Sequence, residues 1–175
     1  KNDSLGASIL FGLKAPTGKT DIEYHDARLD AELQPGSGSW DVLAGAAFSQ
    51  QGARAGYHAN VLYHKTTKGS QDTDIGDAFF YNAALSYRLS DIERADHPHQ
   101  DTGGHGHVVW DLLLELNGEW RGKTRVAGGL EPHSGGNVIY LSPGIRLSSS
   151  ARWTGFLSLG LPISQDQNGV QAEIG

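Results

Sequence analysis

Four histidines lie close together in the segment Asp96–His107, which reads DHPHQDTGGHGH. Imidazole and carboxylate groups bind borderline divalent ions such as zinc, copper or nickel, and His-rich tracts are a recognised metal-binding composition. The spacing matches no closed structural zinc motif, so we expect a weak, dynamic chelating loop. The competing interpretation is a polar loop that binds metal only incidentally. The candidate metal ligands are His97, His99, Asp101, His105 and His107.

Three carboxylates recur every fourth residue further along the chain, at Asp111, Glu115 and Glu119. On a β-strand these side chains would share one face and lie about 13 Å apart. Glycosidase carboxyl pairs lie about 5–9.5 Å apart, so this spacing does not suit paired acid–base catalysis. The alternatives are an acidic stripe that attracts cations in a pore and a solvated wall whose charge is balanced by arginines.

Composition excludes several other kinds of chemistry. The chain has no Cys, and neither a nucleophile-elbow sequence nor an HExxH motif occurs in it. We therefore predict that the protein is not an enzyme. The net charge of -6 and the lack of Lys/Arg runs argue against nucleic acid as a partner. The chain also has no Met, so it is expected to be a mature or truncated piece of a longer protein.

The carboxylates at 111, 115 and 119 belong to Val108–Arg121, which reads VVWDLLLELNGEWR. Side chains on a strand alternate between two faces, so one face is aliphatic and carries Trp110 and Trp120 near its ends. Ten residues span roughly 33 Å of strand at about 3.3 Å per residue. A tilt of about 40° gives roughly 25 Å of height, which matches the apolar band of an outer-membrane barrel. An ordinary strand has about five or six residues.

Eight segments show the same two-residue alternation. No stretch approaches the 18 apolar residues of a membrane helix. We predict an all-β fold, namely a single antiparallel transmembrane β-barrel domain over residues 1–175 with eight visible strands. The alternative is a soluble barrel, jelly roll or sandwich whose apolar faces pack a core. The predicted strands are Ser4–Lys14, Ser39–Gln50, Arg54–Lys65, Asp77–Leu89, Val108–Arg121, Asn137–Ser148, Arg152–Ile163 and Gly169–Gly175.

In such a barrel the polar face of each strand lines the lumen. The histidines on the third strand are predicted to be hydrogen-bonded lumen residues rather than metal ligands. The predicted lumen-lining residues are His58, Asn60, His64, Asn82, Arg88, Asp111, Glu115, Asn117, Glu119, Arg121 and Arg146.

The connections indicate which end of the barrel faces the periplasm. Outer-membrane barrels have short periplasmic turns and longer outer loops, and Gln51–Ala53 and Ser149–Ala151 are short. Strand parity then places Ser90–His107, with its histidines, on the periplasmic side as well. This connection is longer than a periplasmic turn should be, so either the strand count is incorrect or the segment has a function of its own.

Several Gly/Pro-rich motifs stand in the order of a known family. The chain resembles the outer-membrane β-barrel transporter family named for the meta-pathway of phenol degradation, and the resemblance covers nearly the whole chain. The motifs that carry it are GLKAPTGKTD (Gly12–Asp21), LQPGSGSWD (Leu33–Asp41), HANVLYH (His58–His64), GSQDTDIGD (Gly69–Asp77), GGNVIYLSPGIR (Gly135–Arg146), LGLPI (Leu159–Ile163) and QNGVQAE (Gln167–Glu173).

The resemblance implies a transporter of small solutes in the outer membrane of a Gram-negative bacterium. The family name suggests aromatic compounds, and some similar members are associated with heavy-metal efflux. Family members have additional first strands and an aromatic-terminated last strand, which this chain lacks. The expected full barrel therefore has about ten to twelve strands.

Three functions are consistent with the sequence. The first is passive passage of small solutes, which are aromatic compounds or metal cations, through the lumen of a barrel whose outer wall contacts outer-membrane lipid. The second is a metal-handling accessory barrel whose periplasmic His-rich loop works beside an efflux component. The third is a soluble β-sandwich binding module.

Overall fold

The computed structural model describes residues 4–89, 108–149 and 153–171, and these residues form antiparallel sheets with almost no helix. The only helices in these ranges are two 3-10 turns, Ala31–Leu33 and Ser70–Asp72. None is long and apolar enough to cross a membrane. The thirteen strands are β1 Ser4–Lys14, β2 Glu23–Tyr24, β3 Ala27–Arg28, β4 Asp41–Gln51, β5 Ala55–Lys65, β6 Thr73–Asp74, β7 Ala78–Arg88, β8 Val108–Arg121, β9 Arg125–Val126, β10 Gly129–Leu130, β11 Gly136–Ser149, β12 Thr154–Ser158 and β13 Leu161–Gln167.

Eight of these strands form the main sheet in the order β1-β4-β5-β7-β8-β11-β12, with β13 also paired to β11. Every neighbouring pair is antiparallel, and from β1 to β12 each strand of the sheet pairs with the next main-sheet strand along the chain. Within the described ranges, β1 pairs only with β4, so the main sheet is not closed into a barrel. The all-β antiparallel prediction is confirmed at this level.

The main sheet has two different ends. At the turn end, β4 and β5 are joined by a hairpin in which the Gly52 amide donates to the Ala55 carbonyl, 2.8 Å away. The residues Arg88 and Val108 also lie at the turn end, so the connection between them begins and finishes there. The longer connections 15–40, 66–77 and 122–135 all lie at the opposite end, the loop end.

The loops of the loop end have structure of their own. Strands β2 and β3 form a small hairpin, and β6, β9 and β10 form a three-stranded sheet in the order β10-β9-β6. Because β6 belongs to one loop and β9 to another, this sheet joins two connections that the sequence reading left irregular. The Gly122 amide also donates to the Asp77 carbonyl, 2.8 Å away. The neighbouring Gly76 (φ 82°) lies so close to the Gly122 carbonyl that a Cβ there would overlap it.

The seventh predicted strand, Arg152–Ile163, needs correction. The chain leaves the strand conformation at Leu159 and Gly160, and it continues as β13 through to Gln167. At the break, β11 changes its partner from β12 to β13 between Gly144 and Leu141, where Pro143 has no amide hydrogen to donate. The β11–β13 register also shifts beside Pro162, which lies opposite Tyr140. Of the eighth predicted strand, Gly169–Gly175, residues 169–171 are not in a strand and the others lie beyond the described chain.

The two faces of the main sheet differ in chemistry. One, the apolar face, is covered with large hydrophobic side chains, yet these are exposed: Leu112 is 45% and Leu114 is 43% exposed. Ala78 is the only buried hydrophobic residue in the described ranges. The exposed members of the apolar face are Leu5, Ile9, Phe11, Leu13, Val42, Phe48, Tyr57, Val61, Tyr63, Leu85, Tyr87, Trp110, Leu112, Leu114, Trp120 and Leu157.

Aromatic side chains line up near the loop end of the apolar face. Tyr63 lies directly opposite Phe79, and Phe79 lies opposite Trp120, so three neighbouring strands carry aromatics at one height. Trp110 lies near the other end of β8, as the sequence predicted. Such bands are typical of the girdles that flank the apolar belt of an outer-membrane barrel.

Candidate functional site

The second face of the main sheet, the polar face, carries the side chains that the sequence predicted to act together. The strand registers place all of the predicted residues on this one face, at different heights between the two ends. They are His58, Asn60, His64, Asn82, Arg88, Asp111, Glu115, Asn117, Glu119, Arg121 and Arg146. The polar face is therefore the candidate functional site.

Near the turn end, Asp111 lies between two arginines. It is directly opposite Arg88 on one neighbouring strand and Arg146 on the other. The Arg88 Nε donates to one carboxylate oxygen at 3.1 Å, and Arg146 donates to the other from Nε at 3.0 Å and Nη2 at 2.9 Å. Asp111 is only 3% exposed, so these charge-assisted bonds replace the water that the carboxylate loses.

The other two carboxylates of the predicted stripe have different surroundings. Glu119 accepts a hydrogen bond from Nε of Arg121 at 2.9 Å, on the same strand and face. The structure thus pairs Asp111 and Glu119 with arginines, which favours the charge-balanced wall over a continuous acidic stripe. Glu115 has no ion-pair partner within the described ranges.

Halfway along the polar face, three asparagines form a row across neighbouring strands. Asn60 is opposite Asn82, and Asn82 is opposite Asn117. The Asn82 side-chain amide donates to the Asn60 side-chain oxygen, 2.8 Å away. Amides both donate and accept hydrogen bonds without carrying charge, so this row is a neutral polar band between the charged ends.

Comparison with known proteins identifies the family to which the chain belongs. Residues 1–173 match the family model described as "Putative MetA-pathway of phenol degradation". The chain belongs to this family. A search of curated proteins found no match. The family suspected from the Gly/Pro motifs is thus confirmed, and its name associates the chain with a phenol-degradation pathway.

This family member also has a buried ionic cluster that the sequence reading missed. Asp41, at the loop end of the polar face, is fully buried, and it accepts a hydrogen bond from the Lys14 ammonium. The His64 Nε2 lies 3.1 Å from the same carboxylate, and the Thr67 amide donates to it at 3.2 Å. Lys14, Asp41 and His64 come from three strands, so only the register brings them together; no local spacing could have indicated it.

A second carboxylate missed by the sequence reading holds a loop in place. Asp77, just before β7, accepts hydrogen bonds from the Tyr63 hydroxyl at 2.6 Å, from the Lys65 ammonium at 2.9 Å and from the Thr66 amide at 3.0 Å. Burial alone would raise the pKa of Asp77, but these hydrogen bonds outweigh burial and hold the pKa below its usual value.

The predicted metal ligands of the His-rich segment, His97, His99, Asp101, His105 and His107, fall outside the described ranges. Within those ranges, no group of three or more His, Asp or Glu side chains is arranged to hold a metal ion. His58 and His64 belong to no such group in the described ranges, and His64 is instead paired with Asp41. Metal binding by the His-rich segment stays a prediction.

Proposed function

We propose that this chain is the strand-forming part of an outer-membrane β-barrel that lets small solutes pass. The observation that supports this most is the exposure of the apolar face. Sixteen large hydrophobic side chains on one side of a single sheet are exposed, and Ala78 is the only buried hydrophobic residue in the described chain. In water this surface would be strongly unfavourable, at roughly 25 cal/mol for each Å² of apolar area. In lipid it is the expected outer wall.

The rival soluble sandwich requires a second large sheet to cover the apolar face. The other sheets in the described part of the chain have two and three strands of two residues each, and they lie at the loop end. Neither is large enough to cover strands of 11–14 residues. The main sheet therefore fits a lipid-facing wall better than half of a sandwich.

In the proposed barrel the polar face lines the solute path. Selection then depends on the width of the lumen and on the charge of its wall, and no bond is made or broken. Asp111 with its two arginines would form a net positive constriction near the turn end. The asparagine row would lie at mid-height, and the Lys14–Asp41–His64 cluster would lie at the opposite mouth.

The two ends of the sheet indicate an orientation. The short β4–β5 hairpin suits the periplasmic side, whereas the structured loops of the loop end suit the outer surface. The connection between Arg88 and Val108 would then be periplasmic. A Gram-negative outer membrane accommodates both a lipid-facing belt and such long outer loops.

Reconstitution of the full-length protein tests this function. Purified protein in planar bilayers should give stepwise ion conductance, and proteoliposomes should admit small solutes such as glycerol. Heat-treated, unfolded protein serves as the control. An absence of both conductance and solute flux from correctly folded protein would show that the barrel is not a channel.

A further inference from the structure

We propose that the polar face contains a solute-binding subsite for a small uncharged molecule with an apolar body and a hydrogen-bonding group. This inference rests on the proposed function, since the polar face must line the solute path. The subsite is a cavity of about 360 Å³, open to the polar side and nearer the loop end. Its principal walls are Phe80, Asn82, Asn117, Val138 and Tyr140.

Two rows of different chemistry meet at this cavity. In the first, Phe80 and Val138 lie at one height on either side of Glu119, their shared partner on β8. Phe80 and Val138 give the cavity its apolar walls. In the second row, Asn82 is opposite Asn117, and Asn117 is opposite Tyr140. Since the rows are two residues apart along each strand, they are separated by about 7 Å, the width of one small ring.

The charged residues that reach the cavity neutralise each other. Glu119 and Arg121 both line it, and their side chains form an ion pair with 2.9 Å between Arg121 Nε and the carboxylate. The remaining walls are amides, a phenol and apolar groups. A charged solute would lose its hydration here without finding an unpaired counter-charge, which is costly. The cavity therefore favours uncharged molecules.

Hydrogen-bonding capacity remains available in the cavity walls. The Asn117 amide and the Tyr140 hydroxyl have no hydrogen-bond partner within the described part of the chain. Each can donate and accept, so either can bind a hydroxyl or carbonyl group of a solute. A cavity of this volume lies at the lower end of the range for ligand sites, which suits one ring with a short substituent.

The test measures binding of three probes to the full-length protein in lipid nanodiscs, with empty nanodiscs as the control for partition into lipid. Benzyl alcohol has both required features. Benzoate has the same ring but a negative charge, and glycerol has hydroxyls without an apolar body. We expect saturable binding of benzyl alcohol, with benzoate and glycerol at least about tenfold weaker, because each lacks one feature the cavity selects.

Variants then locate the site. Tyr140→Phe and Asn117→Leu keep the shape of the side chain and remove its hydrogen-bonding group, and at least one should weaken benzyl alcohol binding about fivefold. Ser86→Ala, on the same face but nearer the turn end, is the matched control and should change nothing. Benzyl alcohol that does not bind, benzoate that binds equally well, or two silent variants would each overturn the subsite.

Conductance of the same preparations separates the two proposals. If the protein conducts but binding is insensitive to both variants, the subsite is wrong and the channel stands. If binding responds to the variants but neither conductance nor flux occurs, the subsite is supported and the channel is wrong.

Discussion

The aromatic ring of Tyr81 lies over Gly118, its direct partner across the β7–β8 pair. Its hydroxyl reaches one strand further and donates to the Asn137 side-chain oxygen, 2.9 Å away. Gly118 has no side chain, so the ring can lie flat against the sheet, and a Cβ at this position would overlap the ring. An aromatic side chain that covers a glycine in this way compensates for the packing that the glycine lacks.

Gly118→Ala is therefore expected to destabilise the protein by about 1–3 kcal/mol, because the ring must move away. The measurement is the free energy of unfolding in urea, with the protein in detergent. The matched control is Gly155→Ala in β12, where an added Cβ meets no atom within 4 Å. Equal effects of the two substitutions would contradict the packing role assigned to Gly118.

Removal of the Asp111 carboxylate should expose repulsion between the two arginines. Asp111→Asn is expected to cost about 1–3 kcal/mol of stability, since Arg88 and Arg146 lose their shared acceptor. In the full-length channel the same change should shift ion selectivity toward anions, which the reversal potential in a salt gradient would report.

A double-mutant cycle supplies the control for that prediction. With Arg146→Gln already present, Asp111→Asn should cost less, because only one arginine is then left without its partner. Strict additivity of the two changes would show that the contact between Asp111 and Arg146 carries no interaction energy.

Acid should weaken the loop anchor at Asp77. Its folded-state pKa lies below the unfolded value of about 3.9, so its stabilisation is complete above that value and disappears as the pH falls through the folded pKa. Asp77→Asn should therefore be less stable than the parent at pH 6, and the two proteins should converge once the pH has fallen below the folded-state pKa of Asp77.

Unfolding free energies measured across this pH range check the Asp77 prediction. Asp72→Asn, a half-exposed carboxylate of the same loop that is paired with Lys68, controls for the loss of a surface charge. If the gap between the parent and Asp77→Asn stayed constant down to pH 2, the anchor would not depend on ionisation.

The sequence predicted where the long strands lie better than it predicted which residues of other strands lie beside them. Alternation alone located β1 and β8 with their observed bounds, because successive side chains along a strand point to opposite faces of the sheet. The face of every proposed lumen residue followed from the same pattern. Across the Leu159–Gly160 break the pattern misled, since Leu161 and Ile163 continue the alternation of Leu157 and Leu159 although β12 ends at Ser158.

The sequence could not predict which residues of different strands lie at the same height in the sheet, because this depends on the register between strands that are distant in sequence. Nothing local indicates that Lys14 meets Asp41, or that Phe80 lies level with Val138. The β6–β9 pairing between two loops was missed for the same reason, as each strand has only two residues and no pattern of its own.

Arginine placed on opposite faces of one strand should have opposite consequences. Leu114 lies on the apolar face near the middle of β8, so Leu114→Arg should cost about 2–4 kcal/mol in a bilayer and impair insertion. Leu113→Arg, one residue away on the polar face, is the matched control and should insert normally. Folding into liposomes, followed by the gel shift between folded and heated protein, measures both. Equal impairment would argue against a lipid-facing apolar side.

The most direct test of a lipid-facing apolar side is a nitroxide scan along β8. Because the chain has no Cys, each substitution from 108 to 121 introduces a single labelling site. In bilayers, labels at Leu112, Leu114 and Leu116 should be accessible to oxygen, which concentrates in lipid. Labels at Leu113, Glu115 and Asn117 should be accessible to a water-soluble nickel chelate. A period of two in this order is the predicted result; water accessibility at the leucines of the apolar face, or protection of those positions from both reagents, would contradict it.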